Sequence, residues 1–141
     1  LYSLSDGSKT ILKKIEEPVT VKFYFSRTDS SPYPAIKIYG ERVDDLLKEY
    51  VRESDGKISL ETFDPRADTE EEEWAQKYGL TPVPVREGMK LFLGLVVVNS
   101  LGEEEAVSFF DPRRQEYLEY DITRAISLAS QTAKSKIAII T

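Results

Sequence analysis

The sequence predicts a layered α/β domain built on a mixed sheet, and three observations carry that prediction. Val19 to Ser26 reads Val-Thr-Val-Lys-Phe-Tyr-Phe-Ser, a β-branched and aromatic run between Pro18 and a polar stretch, as expected of a buried central strand. Arg27 to Pro34 then feeds a helix and a second strand at Ile58 to Phe63, a unit that winds right-handed and leaves its two strands parallel. Leu91 to Asn99 and Glu105 to Phe110 flank a Leu101-Gly102 turn, so a hairpin completes the sheet.

Each element has its own signal. Ser5-Asp6-Gly7-Ser8 offers a helix cap, after which Ile11, Leu12 and Ile15 recur at helical spacing with Lys9, Lys13 and Lys14 on the other side. Glu16-Glu17-Pro18 ends this first helix and releases the central strand. Pro32 or Pro34 suits the first turn of the next helix, whose stripe is Ile36, Tyr39, Val43, Leu46, Leu47 and Tyr50. Gly40 should weaken that helix by about 1 kcal/mol relative to Ala. Ser54-Asp55-Gly56 reads as an exposed turn. Lys57 to Phe63 alternates like an edge strand and closes at Asp64-Pro65. Thr69 caps a third helix that opens with Glu70 to Glu73, where the dipole favours acids, and Trp74 with Tyr78 gives it an inward face before Gly79. Thr81 to Val85 is extended by its prolines. A last helix over Arg114 to Ser130 carries Leu118, Ile122, Ala125, Ile126 and Ala129.

After the first helix this is the βαβαββα order of a thioredoxin-like domain, three layers with an extra N-terminal helix. A doubly wound sheet, with Ile137 to Thr141 as one more parallel strand, is the competing architecture. The hairpin favours the first.

At 141 residues the chain fits one domain that needs no metal or disulfide. A net charge of -6 argues against a nucleic-acid surface, which requires clustered cations. Without cysteine or histidine there is no thiol nucleophile, disulfide, usual zinc site or imidazole base, so neither cofactor nor metal is expected. The longest apolar run, Leu91 to Val98, is far short of the roughly 20 residues of a membrane helix.

Phe-Asp-Pro-Arg occurs twice, at Phe63 to Arg66 and Phe110 to Arg113. In the expected topology both repeats leave one sheet edge, together with Arg27 and the Pro82 to Arg86 segment. Arg27, Asp64, Arg66, Pro84, Arg86, Asp111 and Arg113 therefore form a candidate recognition rim for a peptide, sugar or carboxylate, since guanidinium donors suit planar acceptors. Strand-ending Asp-Pro and solvated loop Arg would produce the same residues without any ligand. Asp64 with Asp111 is the one carboxylate pair worth testing for hydrolysis, although no catalytic residue is assigned. The usual redox Cys pair of a thioredoxin-like enzyme would fall within Ser26 to Tyr33, which holds none, so thiol chemistry is excluded. Pro84 is the candidate for that fold's cis-proline; an ordinary proline in an extended segment is the alternative. Eight Tyr and six Phe could build a sugar-stacking platform, but most, including Phe23, Phe25 and Tyr50, occupy core-facing positions.

Leu1-Tyr2-Ser3-Leu4-Ser5-Asp6-Gly7-Ser8-Lys9, then Glu17-Pro18 through Ser26, resembles the start of the soluble region of GldG-like proteins. Tyr78 to Val83, Gly94 to Val97, Leu118 to Thr123 and Ala125-Ile126 extend the resemblance over nearly the whole chain. These proteins are auxiliary components of ABC-type transport systems associated with gliding motility. The resemblance implies a non-catalytic recognition domain, residues 1–135, on the periplasmic face of the bacterial inner membrane. It implies a membrane-anchored parent that works with separately encoded permease and ATPase subunits, and an envelope peptide or sugar as ligand. Residues 136–141 would begin a following Rossmann-like domain with a strand. Without a Gly-rich phosphate loop, this chain should not itself bind ATP.

Overall fold

In the computed structural model, which describes residues 3–140, the Ser5 hydroxyl accepts from the Ser8 amide and opens helix α1 (Asp6–Lys13). Strand β1 (Val19–Phe25) follows. Pro34 occupies the first turn of α2 (Pro34–Glu53), where its missing amide hydrogen costs nothing, and no side chain caps that end. The turn at Asp55 and Gly56 takes positive φ values of 53° and 82°. Ser54 is buried rather than exposed, because its hydroxyl donates to the Val51 carbonyl and accepts from the Ile58 amide, joining α2 to strand β2 (Ile58–Phe63).

The Thr69 hydroxyl accepts from the Glu72 amide and caps α3 (Glu70–Lys77). The inward residue of this helix is Ala75, fully buried, whereas Trp74 is 43% exposed, contrary to the inward face expected of it. Ala75 packs into the smaller core with Tyr24, Leu80, Phe92 and Val96, and the large indole is left at the margin, with the Lys77 ammonium 4.8 Å from its ring centre.

The proline-extended segment pairs as a strand, β3 (Val83–Arg86), with β4 (Met89–Leu91) in a hairpin that was not expected, and Pro84, the cis-proline candidate, sits inside β3 with every described peptide bond trans. The long apolar run is therefore interrupted at Phe92, and β5 (Leu93–Asn99) resumes it. Strand β6 (Glu104–Val107) is shorter than the Glu105 to Phe110 expected. A 3-10 segment (Pro112–Tyr117), capped by Asp111, leads into α4 (Leu118–Ile140).

Residues 137–140 belong to this helix and not to a further strand; Thr141 lies outside the described residues. No Gly or Pro interrupts Leu118 to Ile140. A helix satisfies its own backbone groups, whereas a strand there would need a neighbour.

The described residues thus hold four α-helices and a mixed sheet in the order β2-β1-β5-β6, with β1 parallel to β2, and β5 antiparallel to both β1 and β6. Alternation in β1 sends Val19, Val21, Phe23 and Phe25 to the larger core, shared with α1, α2 and α4. Tyr24, Val96 and Phe92 face a smaller core with Ala75 and Leu80, on the α3 side.

Candidate functional site

The strand directions decide which loops meet. Phe25 pairs with Leu93, Tyr24 with Phe63, and Leu95 with Val107, so the ends of β1, β2 and β6 and the start of β5 share one edge. Ser26 locks that edge. Its backbone amide donates to the Phe92 carbonyl (2.9 Å), its hydroxyl accepts from the Phe92 amide (2.8 Å) and donates to the Pro65 carbonyl (3.0 Å), and the residue is fully buried.

Arg27, Asp64, Arg66, Asp111 and Arg113 follow strands that end at this edge, whereas Pro84 and Arg86 belong to the separate β3–β4 hairpin, and most of the seven are engaged locally. The Arg27 guanidinium lies 4.8 Å over the Phe25 ring and 3.8 Å from the Asp44 carboxylate. Asp64 accepts from the Thr28 hydroxyl (2.6 Å) and the Thr28 amide (3.3 Å), which ties the β1 loop to the β2 loop. Asp111 takes a forked hydrogen bond from Arg113 (2.8 Å and 3.1 Å). That side-chain bond, then the Arg113 amide, holds the Asp111 carboxyl below its ordinary range and raises Arg113 in turn. Arg66 and Arg86 are exposed and make no ion pair among the described residues. Four concavities, of about 580, 280, 170 and 140 Å³, are lined by residues outside the rim.

One of these, of about 580 Å³, is a groove between α1 and α4 that the sequence did not announce. Its floor is polar. The Tyr50 hydroxyl donates to the Glu119 carbonyl (3.0 Å) and lies 2.6 Å from the Thr123 hydroxyl, which is 3.0 Å from that of Ser8. Burial raises the Tyr50 pKa, and the Thr123 hydrogen bond offsets only part of that. Both Ser5 and Ser8 hydroxyls donate to the Glu119 carboxylate, as does the Ser5 amide at 3.2 Å. Burial pushes Glu119 up, but these serine bonds outweigh it and leave the carboxyl below its ordinary range. Glu119 is thus held ionised to cap α1 from 114 residues away and is unsuited to taking up a proton at neutral pH. Ser5 and Ser8 carried the local half of this signal; no sequence pattern identifies so distant an acid.

The groove walls are Ile11, Tyr120 and Leu128, exposed by 38%, 63% and 37%, with Glu116, Arg124 and Ser127 beside them. On the opposite sheet face, Tyr24 stacks on Phe63 at 4.7 Å, and burial foremost pushes its phenol up to about 12. Among the described residues no group of three or more acidic side chains could hold a metal ion, and no helix is long and apolar enough to cross a membrane.

Residues 1–98 match the family model described as Domain of unknown function (DUF7088). No curated protein and no solved structure matches the chain. With well over half of its length covered by that model, the chain belongs to this family.

Proposed function

We propose that this member of the DUF7088 family is a thioredoxin-like, non-catalytic recognition domain of a GldG-like auxiliary protein, acting with an ABC permease and ATPase on the extracytoplasmic side of the membrane. The strand order β2-β1-β5-β6, with the first pair parallel and the rest antiparallel, supports the fold assignment. α3 on one face and α2 with α4 on the other complete the layering that fold requires.

The observation that carries recognition is the convergence of four loops at one sheet edge, pinned through Ser26. Loops on a rigid scaffold are where binding residues concentrate. With Asp64 and Asp111 already hydrogen-bonded to Thr28 and Arg113, the donors left for a ligand are Arg66 and Arg86. They suit a ligand that presents a carboxylate, whether an envelope peptide or an acidic sugar. The same engagement of both carboxylates disfavours a two-acid hydrolase.

Two measurements test this. In cells making the full-length protein, Glu87→Cys in the exposed β3–β4 turn supplies a thiol in a domain that has none, other cysteines of the parent being removed. Labelling of intact cells by a membrane-impermeant maleimide is the expected result. Labelling only after lysis would overturn the extracytoplasmic reading. A panel of acidic peptides and uronic acids should include ligands that raise the melting temperature saturably, and Arg66→Ala with Arg86→Ala should abolish that rise. A rise that survives both substitutions would remove the rim from the proposal.

A further inference from the structure

The groove between α1 and α4 carries an inference that does not depend on the rim. Three exposed residues line it at intervals of four: Glu116 near the end of the 3-10 segment, then Tyr120 and Arg124 on α4. Glu116 and Arg124 make no ion pair among the described residues, and Tyr120, 63% exposed, has no ring or cation partner there. On α4 and the 3-10 segment before it, the neighbouring charges are engaged, while Lys14 at the end of α1 sits beside Ile11 without an ion pair among the described residues. Glu119 is satisfied by Ser5 and Ser8, Asp121 is bridged to Arg114 at 3.3 Å, and Lys134 is bridged to Glu16 at 2.9 Å. What remains on the α4 side of the groove is an acid, an aromatic ring and a base, with the ring midway in sequence.

That arrangement is complementary to itself. Arg124 follows Tyr120 by four residues on α4, an axial offset of about 6 Å at helical rise, and Glu116 precedes it by four at the end of the 3-10 segment, so acid and base lie on opposite sides of the ring along the chain. A two-fold axis through Tyr120 reverses the helix direction. It sets Glu116 of one copy against Arg124 of the other, twice, and stacks one Tyr120 ring on its counterpart. Isologous two-fold contacts are the commonest way in which identical chains pair, and they require such self-complementary patterning. Ile11 and Leu128 flank the ring with apolar surface, and tyrosine and arginine are the residue types that anchor interfaces.

We propose that this groove is the interface between two copies of the chain, in antiparallel α4 packing about a two-fold axis at Tyr120. Sedimentation equilibrium across concentrations up to about 1 mM tests it. The wild-type protein should show a reversible monomer–dimer equilibrium that weakens with added salt. Glu116→Arg leaves two bases on the face and Arg124→Glu leaves two acids. Each change occurs at both symmetry-related contacts, so each variant alone should dimerise about tenfold more weakly or worse. Mixed one to one, the two variants should pair with each other, and the double charge swap E116R/R124E should recover self-association. Tyr120→Ala should weaken the dimer without changing its charge pattern. Far-UV circular dichroism confirms that each variant is folded, and these exposed positions should not perturb it.

A wild-type protein that stays monomeric throughout, as expected if the groove serves a different protein's helix, would overturn the proposal. So would a dimer indifferent to both charge reversals, or a mixture no more associated than its components.

Discussion

Replacing Gly40 by Ala separates helix propensity from tertiary packing by sign. As an exposed helix position, Gly40→Ala should stabilise the protein by about 1 kcal/mol. In the structure a Cβ at this position would lie 2.3 Å from both Cε1 and Cζ of Phe25 and 2.7 Å from Cδ1. Carbon atoms rest at about 3.5–4.0 Å, so the overlap exceeds an ångström. The ring has little room to retreat. Phe25 is 1% exposed, its centroid is 5.9 Å from that of Phe23, and the Arg27 guanidinium lies 4.8 Å away over its face. Overpacking of this kind costs about 1–3 kcal/mol, and the depth of the overlap selects the upper end. Subtracting the propensity gain leaves a net loss of about 2 kcal/mol. With an m-value near 2 kcal/mol/M, the urea midpoint should fall by about 1 M. In a Phe25→Leu background the ring is gone and the penalty should shrink, giving a coupling of at least about 1 kcal/mol in the double-mutant cycle. A midpoint that rises in Gly40→Ala with m unchanged would refute the packing argument outright.

Three further perturbations follow from named contacts. Ser26→Ala strips the Phe92 amide and the Pro65 carbonyl of a buried partner, so a loss of about 2–4 kcal/mol in chemical unfolding is expected; a loss below 1 kcal/mol would mean that water or backbone readily replaces the hydroxyl. Asn99→Ala removes the carboxamide oxygen that accepts from the Leu101 and Glu103 amides, both at 2.9 Å, and the donor to the Ala129 carbonyl at 3.1 Å. Stability should drop by about 2–3 kcal/mol, and hydrogen exchange should quicken first at the β5–β6 turn and the facing turn of α4. The folded pKa of Glu119 is depressed below its ordinary 4.5. Its contribution is therefore present in full above that value and is lost as the pH falls through the lower, folded-state pKa. Urea midpoints measured from pH 6 to pH 3 should decline more steeply for the wild type than for Glu119→Gln, and parallel curves would exclude Glu119 as a contributor to acid sensitivity.

The parts of the fold legible in the sequence are those where one local signal decides. The central strand read at Val19 to Ser26 stands but for its last residue, and the Thr69 cap before four glutamates and the parallel unit through Ile58 to Phe63 stand as read. Where two signals compete, tertiary context chooses. Leu91 to Asn99 looks like one strand, but Phe92 breaks it because Ser26 claims its backbone on both sides. Trp74 has the greater hydrophobicity, yet Ala75 is the residue of α3 that enters the smaller core. The run Ile137 to Ile140 has strand composition, but it continues a helix that already spans residues 118–136 without a breaker. Gly40 reads as a weakness in a helix until the ring of Phe25 is placed against it.

The two candidate surfaces were unequally visible for a related reason. Rim residues are recognisable one at a time, because Asp-Pro ends a strand and Arg stands out in a loop. Their state is not, since Asp111 is occupied by a guanidinium two residues along, while Asp64 is occupied by Thr28, 36 residues away. The groove is the reverse case. Glu116, Tyr120 and Arg124 sit at an evident spacing of four, but that spacing acquires meaning only once α1 has taken the neighbouring face of α4, Glu119 has been drawn off to cap it, and the other charges of α4 have found partners. A surface becomes a candidate through what remains on one helix and the segment before it after folding has used their other charges, and that remainder is a property of the assembled chain. For this reason the charge-reversal mixture is the more decisive experiment of the two: it interrogates residues whose exposure folding has left without an internal explanation.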